Sequence, residues 1–94
     1  MKLVYTDEAI DDLKRLREFI ATHNPSAASR IAAELVGKID LLPDFPKMGT
    51  PVEIAPVPDS VRDMFFGKYV VRYSLHATAI IILRVWHELE GERP

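Results

Sequence analysis

The sequence predicts a two-layer α+β fold: one strand, an antiparallel helical hairpin and a three-stranded antiparallel meander, with the helices on one face of the sheet. Three observations predict it. Val61 to His87, VRDMFFGKYVVRYSLHATAIIILRVWH, consists of short runs rich in Val, Ile, Tyr and Phe, broken at Phe66-Gly67-Lys68 and at His76-Ala77-Thr78. Upstream, two stretches place apolar residues at three- and four-residue spacing, the period of helices buried on one side. Ahead of both, Lys2 to Tyr5 is a short β-prone opening.

That opening strand is expected beside the last strand of the sheet. Thr6 is placed to cap the first helix, and Asp7 and Glu8 suit the positive end of its dipole. The helix spans about Asp7 to Thr22, with Ala9, Ile10, Leu13, Leu16 and Ile20 on one stripe and Phe19 beside them. Asn24 is an N-cap and Pro25 is preorganised for the first position of a second helix. This one carries Ala28, Ile31, Ala32, Leu35, Ile39 and Leu42 on one side and ends before Pro43. So short a connection makes the helices antiparallel. Gly37 inside the second helix costs about 1 kcal/mol in propensity, which leaves close packing or a weak spot as its meaning.

Pro43 to Ser60 holds five of the seven prolines and reads as a loop, with Val52 to Ile54 at most a short extended piece. Phe45 and Met48 are expected to fold back over the helical hairpin. In the meander, Gly67 suits a two-residue turn that pairs Met64 with Val71 and Asp63 with Arg72. Alternation puts Tyr69, Val71, Tyr73 and Leu75 on the core face and Arg72 on the other. In the last strand Ala79, Ile81, Leu83 and Val85 are wholly apolar and are assigned to the core, which turns Ile80, Ile82, Arg84 and Trp86 outward. A three-residue loop then pairs Val71 with Leu83 and Tyr73 with Ile81. The Arg72/Arg84 face, with Val70, Ile80, Ile82, Phe65 and Trp86, has no helix to cover it and is too apolar for a lone monomer. Glu88 to Pro94 is a polar tail expected to fray.

Composition bounds the function. The chain is expected to be one domain over residues 1–94, 48% hydrophobic and 28% charged, with a net charge of −2 that argues against sequence-blind nucleic-acid binding. Charge is uneven: Val61 to His87 carries +3 and Asp7 to Leu42 carries −2. The absence of cysteine removes disulfides and thiolate metal sites, and with no signal-like start or membrane-length apolar run the expected location is the cytoplasm. His23, His76 and His87 show no ligand spacing, so no metal and no cofactor are expected. No Gly-rich phosphate loop or nucleophile elbow is present. Arg84, Trp86 and His87 bring a cation, a large aromatic and a titratable ring to one strand end, a composition suited to anchoring a target. Arg72, Arg84, Val70 and Ile82 on the uncovered face suit a partner segment of alternating apolar and acidic residues.

The ordered set YTDEAIDDLKRLREFI, NPSAASRIAAELVGKIDLLPDFPKMG, VRDMFFGKYVVRYSL and IIILRVWHELE resembles the RelE/ParE superfamily of toxins from bacterial toxin–antitoxin pairs, especially its ParE branch, over about Val4 to His87. The resemblance implies a cognate antitoxin whose C-terminal segment wraps the toxin, expected to be ParD-like with a ribbon–helix–helix domain, so that DNA is met only through the antitoxin. For the ParE branch it implies DNA gyrase as the target. A second branch cuts messenger RNA on the ribosome, and there cations on the middle strands hold the scissile phosphate. This chain has Val70 where that branch carries an Arg after Tyr69, and Arg62 alone on the strand where it carries lysine. His87 is the one candidate acid or base, and Arg62, the other candidate for catalysis, lies six residues away along the sheet, about 20 Å. The expectation is therefore a non-catalytic ParE-like toxin. A RelE-like ribonuclease and an inactive toxin-fold partner of an antitoxin are the alternatives.

Overall fold

Local sequence sets each boundary in the computed structural model, which describes residues 1–53, 57 and 60–92. Strand β1 (Lys2–Tyr5) ends at Thr6, whose hydroxyl accepts the Ala9 N–H at 3.0 Å and starts helix α1 (Asp7–His23). Asn24 serves both helices: its N–H donates to the Ile20 carbonyl, and its side-chain oxygen accepts the Ala27 N–H. Pro25 then opens α2 (Pro25–Ile39), so a single residue reverses the chain. Helix α2 stops short of the expected end near Leu42, but the turns that follow still place Leu42 fully in the core. An added Cβ on Gly37 would meet nothing within 4 Å, so this glycine is a weak spot and not a packing requirement.

Strands β2 (Thr50–Pro51), β3 (Val61–Phe66), β4 (Tyr69–Leu75) and β5 (Ala79–His87) complete a five-stranded sheet in the order β1-β5-β4-β3-β2. Only β1 is parallel to its neighbour; it lies beside β5, as expected. The extended piece expected at Val52 to Ile54 is instead Thr50–Pro51, and Ile54 lies outside the described residues. The first hairpin has the expected register, Met64 opposite Val71 and Asp63 opposite Arg72, with Gly67 at φ +56° in the turn.

The second hairpin corrects the sequence reading. Val71 pairs with Val85 and Tyr73 with Ile82, with a bulge between Arg72 and Tyr73 that leaves Leu83 unopposed on β5. One extra residue reverses the parity of a strand. Ile80 and Ile82, expected outside, are therefore fully buried beside Val85, while Ile81 and Leu83 are half-buried. Ile82 accordingly belongs to the core, not to a partner-binding face. The core joins Ala9 and Leu16 of α1, Leu35 and Ile39 of α2, Leu42, and Met64, Val71, Tyr73, Ile80, Ile82 and Val85 of the sheet.

Three further expectations are corrected. Phe45 and Met48 are exposed and do not form a lid; the loop is held by Tyr73, whose hydroxyl donates to the Pro46 carbonyl (2.7 Å) and accepts the Gly49 N–H (3.0 Å). Val70 and Trp86 are buried, so of the apolar residues assigned to the open face only Phe65 is exposed. The tail does not fray through Glu92: Glu88–Glu90 forms a 3-10 helix, and Glu90 and Glu92 pair with arginines; Arg93 and Pro94 lie outside the described residues.

Candidate functional site

Beyond Ile82 the outer edge of β5 has no strand beside it, because β1 ends at Tyr5. Side chains take over. The Thr6 N–H donates to the Ile82 carbonyl and the Thr6 hydroxyl to that of Leu83. Asp12 of α1 accepts the Val85 N–H at 2.9 Å, and Arg15 Nη2 donates to the Val85 carbonyl at 3.2 Å. A carboxylate and a guanidinium thus complete the hydrogen bonds that a sixth strand would make.

Asp12 is 1% exposed and also receives Arg84 Nε (2.8 Å), Arg84 Nη2 (3.0 Å) and Arg15 Nη1. Burial alone would raise its pKa, but the donors from Arg84, the Val85 N–H and Arg15 outweigh it and bring the carboxyl from 3.8 down to about 2. Arg84 is opposite Arg72 in the sheet, hence on the expected outer face, yet its guanidinium reaches round the edge to Asp12. That hydrogen bond raises its pKa. Arg15 continues the chain of charges to Glu90, with contacts of 2.9 and 3.2 Å. Neither Asp12, Arg15 nor Glu90 was assigned a role from the sequence. A signal existed for Asp12, which sits three residues after Ala9 and four before Leu16 and therefore on the buried stripe of α1.

On the outer face Arg72 makes a two-pronged pair with Asp63, 2.8 and 3.0 Å, and a further bond to Glu92. Its guanidinium carbon lies 5.1 Å from the centre of the Trp86 ring. The pair with Asp63 is the main cause of a strongly raised Arg72 pKa. The guanidinium is therefore a permanent cation seated on an aromatic face.

His87 stands on the helix side, opposite Tyr69. The two rings meet edge to face at 5.0 Å, and Phe19 lies 6.3 Å from the His87 ring. His87 Nδ1 accepts the Leu89 N–H, and its own N–H donates to Glu90, so this residue caps the 3-10 helix. Burial, aided by Glu90, raises the Tyr69 pKa. Arg62 is elsewhere: it is buried opposite Tyr73, with Nε donating to the Gly49 carbonyl at 2.9 Å. The structure thus places Arg84 and Trp86 on the outer face of the end of β5 and His87 on its helix side, brings Tyr69 and Glu90 to His87 and Arg15 to Glu90, and keeps Arg62 apart. Among the described residues, no group of three or more His, Cys, Asp or Glu side chains is placed to hold a metal ion. No helix of the described residues is long and apolar enough to cross a membrane.

Two helices packed on one face of a mostly antiparallel five-stranded sheet make the α+β arrangement of the RelE/ParE toxin superfamily. Residues 3–90 match the family model described as the ParE toxin of type II toxin–antitoxin systems, and the chain belongs to that family. It is 32% identical over 81 residues to Toxin RelE1 of Caulobacter vibrioides, covering 84% of each chain. It is 31% identical over 91 residues to Toxin RelE2 of the same organism, covering 92% of this chain and 93% of the relative. Among solved structures, it is similar to a chain of the chromosomal ParDE system from P. aeruginosa, with a TM-score of 0.79, 22% identity and coverage of 93% and 95%. It is also similar to a chain of the RelBE2 toxin–antitoxin complex from Mycobacterium tuberculosis, with a TM-score of 0.66, 26% identity and coverage of 92% and 88%.

Proposed function

We propose that this toxin acts as a ParE-like inhibitor of DNA gyrase, without cleaving RNA, and is neutralised by a ParD-like antitoxin. The observation that carries this reading is the occupancy of the sheet arginines. Arg62 donates to a carbonyl beneath the 43–50 loop, Arg72 is held by Asp63 and Glu92, and Arg84 by Asp12. Cations that neutralise carboxylates of their own fold offer little stabilisation to the extra charge of a phosphoryl transition state. They also point to different places, which a single scissile phosphate cannot bridge. The end of β5, with Arg84 on the outer face and His87 on the helix side, is assigned to the target, and Arg72 to the antitoxin; Val70 and Trp86 are buried and are left out of both surfaces. Protein synthesis continues at first in cells making the toxin alone, while gyrase poisoning gives filaments and double-strand breaks.

A second reading, a RelE-like ribonuclease acting in the cytoplasm on ribosome-bound messenger RNA, is favoured by one cluster. Tyr69, His87, Glu90 and Arg15 supply two titratable rings, a carboxylate and a guanidinium at one end of the sheet. The deciding experiment measures gyrase supercoiling and cleavage-complex formation with purified toxin alongside translation in a cell-free extract. Inhibited gyrase with intact messenger RNA supports the proposal. Codon-phased cuts abolished by His87→Ala, with gyrase untouched, transfer the assignment to the ribonuclease. No effect on either assigns the chain as an inactive antitoxin partner.

A further inference from the structure

Among the described residues the buried charged side chains are Asp12, Arg62 and Arg72, and only Arg62 lacks a counter-charge. Asp12 lies between Arg84 and Arg15, and Arg72, 7% exposed, is held by Asp63 and Glu92. Arg62 is 8% exposed, yet it makes a single hydrogen bond among the described residues, from Nε to the Gly49 carbonyl. Both of its terminal NH2 groups are therefore without a protein acceptor there. Asp63, its neighbour in the chain, points to the opposite face of β3 and is committed to Arg72. A buried guanidinium left in this state costs folding free energy, and buried charges are as a rule paired.

We infer that Arg62 forms an anion site, in which a small oxyanion, a phosphate or a carboxylate, binds across its two terminal nitrogens and supplies the missing counter-charge. A planar guanidinium whose Nε is already engaged offers Nη1 and Nη2 as a fork, the geometry that takes two oxygens of one anion. The fork is held still. Gly49 fixes its Nε, and Tyr73, opposite Arg62 in the sheet, grips Pro46 and Gly49 of the same turn through its hydroxyl. Lys47 on that turn is exposed and makes no ion pair among the described residues, so it adds positive charge nearby, and the exposed Asp44 of the same loop pairs with neither cation. The site binds and does not cleave: the Tyr73 hydroxyl is committed to the loop, and Tyr69 and His87 pair toward the start of β4. It stands independently of the target assigned above.

The test uses the full chain, isotope-labelled for NMR, with sodium phosphate and sodium acetate as probes against sodium chloride of equal ionic strength. The Nε–H signal of Arg62 and the amide signal of Gly49 should move saturably with the oxyanions and stay in place in chloride. At about ten times the measured dissociation constant, phosphate should raise the folded-to-unfolded ratio about elevenfold, a rise in Tm of about 6–11 °C for a domain of this length. Arg62→Lys keeps the charge but loses the fork, and should bind phosphate at least about tenfold more weakly. A response to one oxyanion alone supports the site and narrows it to that chemistry. Arg62 signals that move with neither oxyanion overturn it, and that reading needs no variant to fold. Undiminished phosphate binding by folded Arg62→Lys also overturns it, since the anion would then sit on exposed lysines.

Discussion

Asp12→Asn removes one charge from the edge of β5 and nearly preserves shape, which makes it the sharpest probe of how the site is held. Asp12 accepts from Arg84, Arg15 and the Val85 N–H, and an amide in its place must turn an NH2 group toward at least one of these donors. The carboxyl pKa falls from 3.8 to about 2 on folding, and at about 1.4 kcal/mol per unit that offset is worth about 2 kcal/mol. Breaking a fully buried pair costs about 3–5 kcal/mol, but Arg84 and Arg15 keep 23% and 32% side-chain exposure, which lowers the expected loss. We expect about 2–3 kcal/mol at neutral pH, a fall in Tm of about 10–20 °C for a domain of this length. The sign with pH follows from the depressed folded pKa. The contribution is complete above the unfolded value near 4 and is lost as pH falls through about 2, because the unfolded chain takes up the proton first. Urea unfolding of wild type and Asp12→Asn between about pH 7 and pH 2.5 should therefore show a difference that shrinks below about pH 4. A loss under about 0.5 kcal/mol, or one independent of pH, would refute the reasoning.

Three further outcomes follow from the loop and the glycines. Tyr73→Phe removes the hydroxyl that holds Pro46 and Gly49 and leaves the Gly49 N–H unpaired in a buried position; denaturant unfolding should show a loss of about 1–3 kcal/mol. Gly37→Ala meets open space in a helix and should raise stability by about 0.5–1 kcal/mol. Gly49→Ala places a Cβ 2.8 Å from the Asp63 carbonyl oxygen and 2.9 Å from the Tyr73 ring, so it should cost about 1–3 kcal/mol; thermal melts of the two variants must move in opposite directions.

The order of elements, the helical hairpin and the first turn of the meander were legible because each is set by local chemistry: Thr6 and Asn24 at helix starts, Pro25 at the first helical position, Gly67 at positive φ. The parity of β5 was not. Ala79 to Leu83 is apolar on both alternating sets, so a period of two carries no information about which set faces inward, and Arg84 was the sole guide. Its outward placement was right for the backbone, but the bulge lies between it and Ile82, so extrapolating alternation across that point inverted the isoleucines. The ion network failed to emerge for a different reason. Asp12, Arg15, Arg84 and Glu90 span the whole chain, and only the docking of α1 against β5 makes them neighbours. The tail was misjudged because polarity was taken as a reason to fray, whereas Glu90 and Glu92 find Arg15 and Arg72.

The mismatch in length between β1 and β5 bears on how this chain avoids its own kind. An unpaired strand edge is a template for another molecule, and proteins usually blunt it with a charge, a proline or a bulge. Here the bulge sits at Leu83, and both main-chain groups of Val85 are occupied by the side chains of Asp12 and Arg15. Loss of either side chain therefore does more than lower a melting point: it uncovers a donor or an acceptor beside the apolar run Ala79 to Leu83, a segment rich in β-branched residues. Position 12 thus guards against intermolecular strand pairing as well as against unfolding, and its variants should be lost to aggregates at concentrations where Tyr73→Phe, which leaves that edge capped, stays in solution.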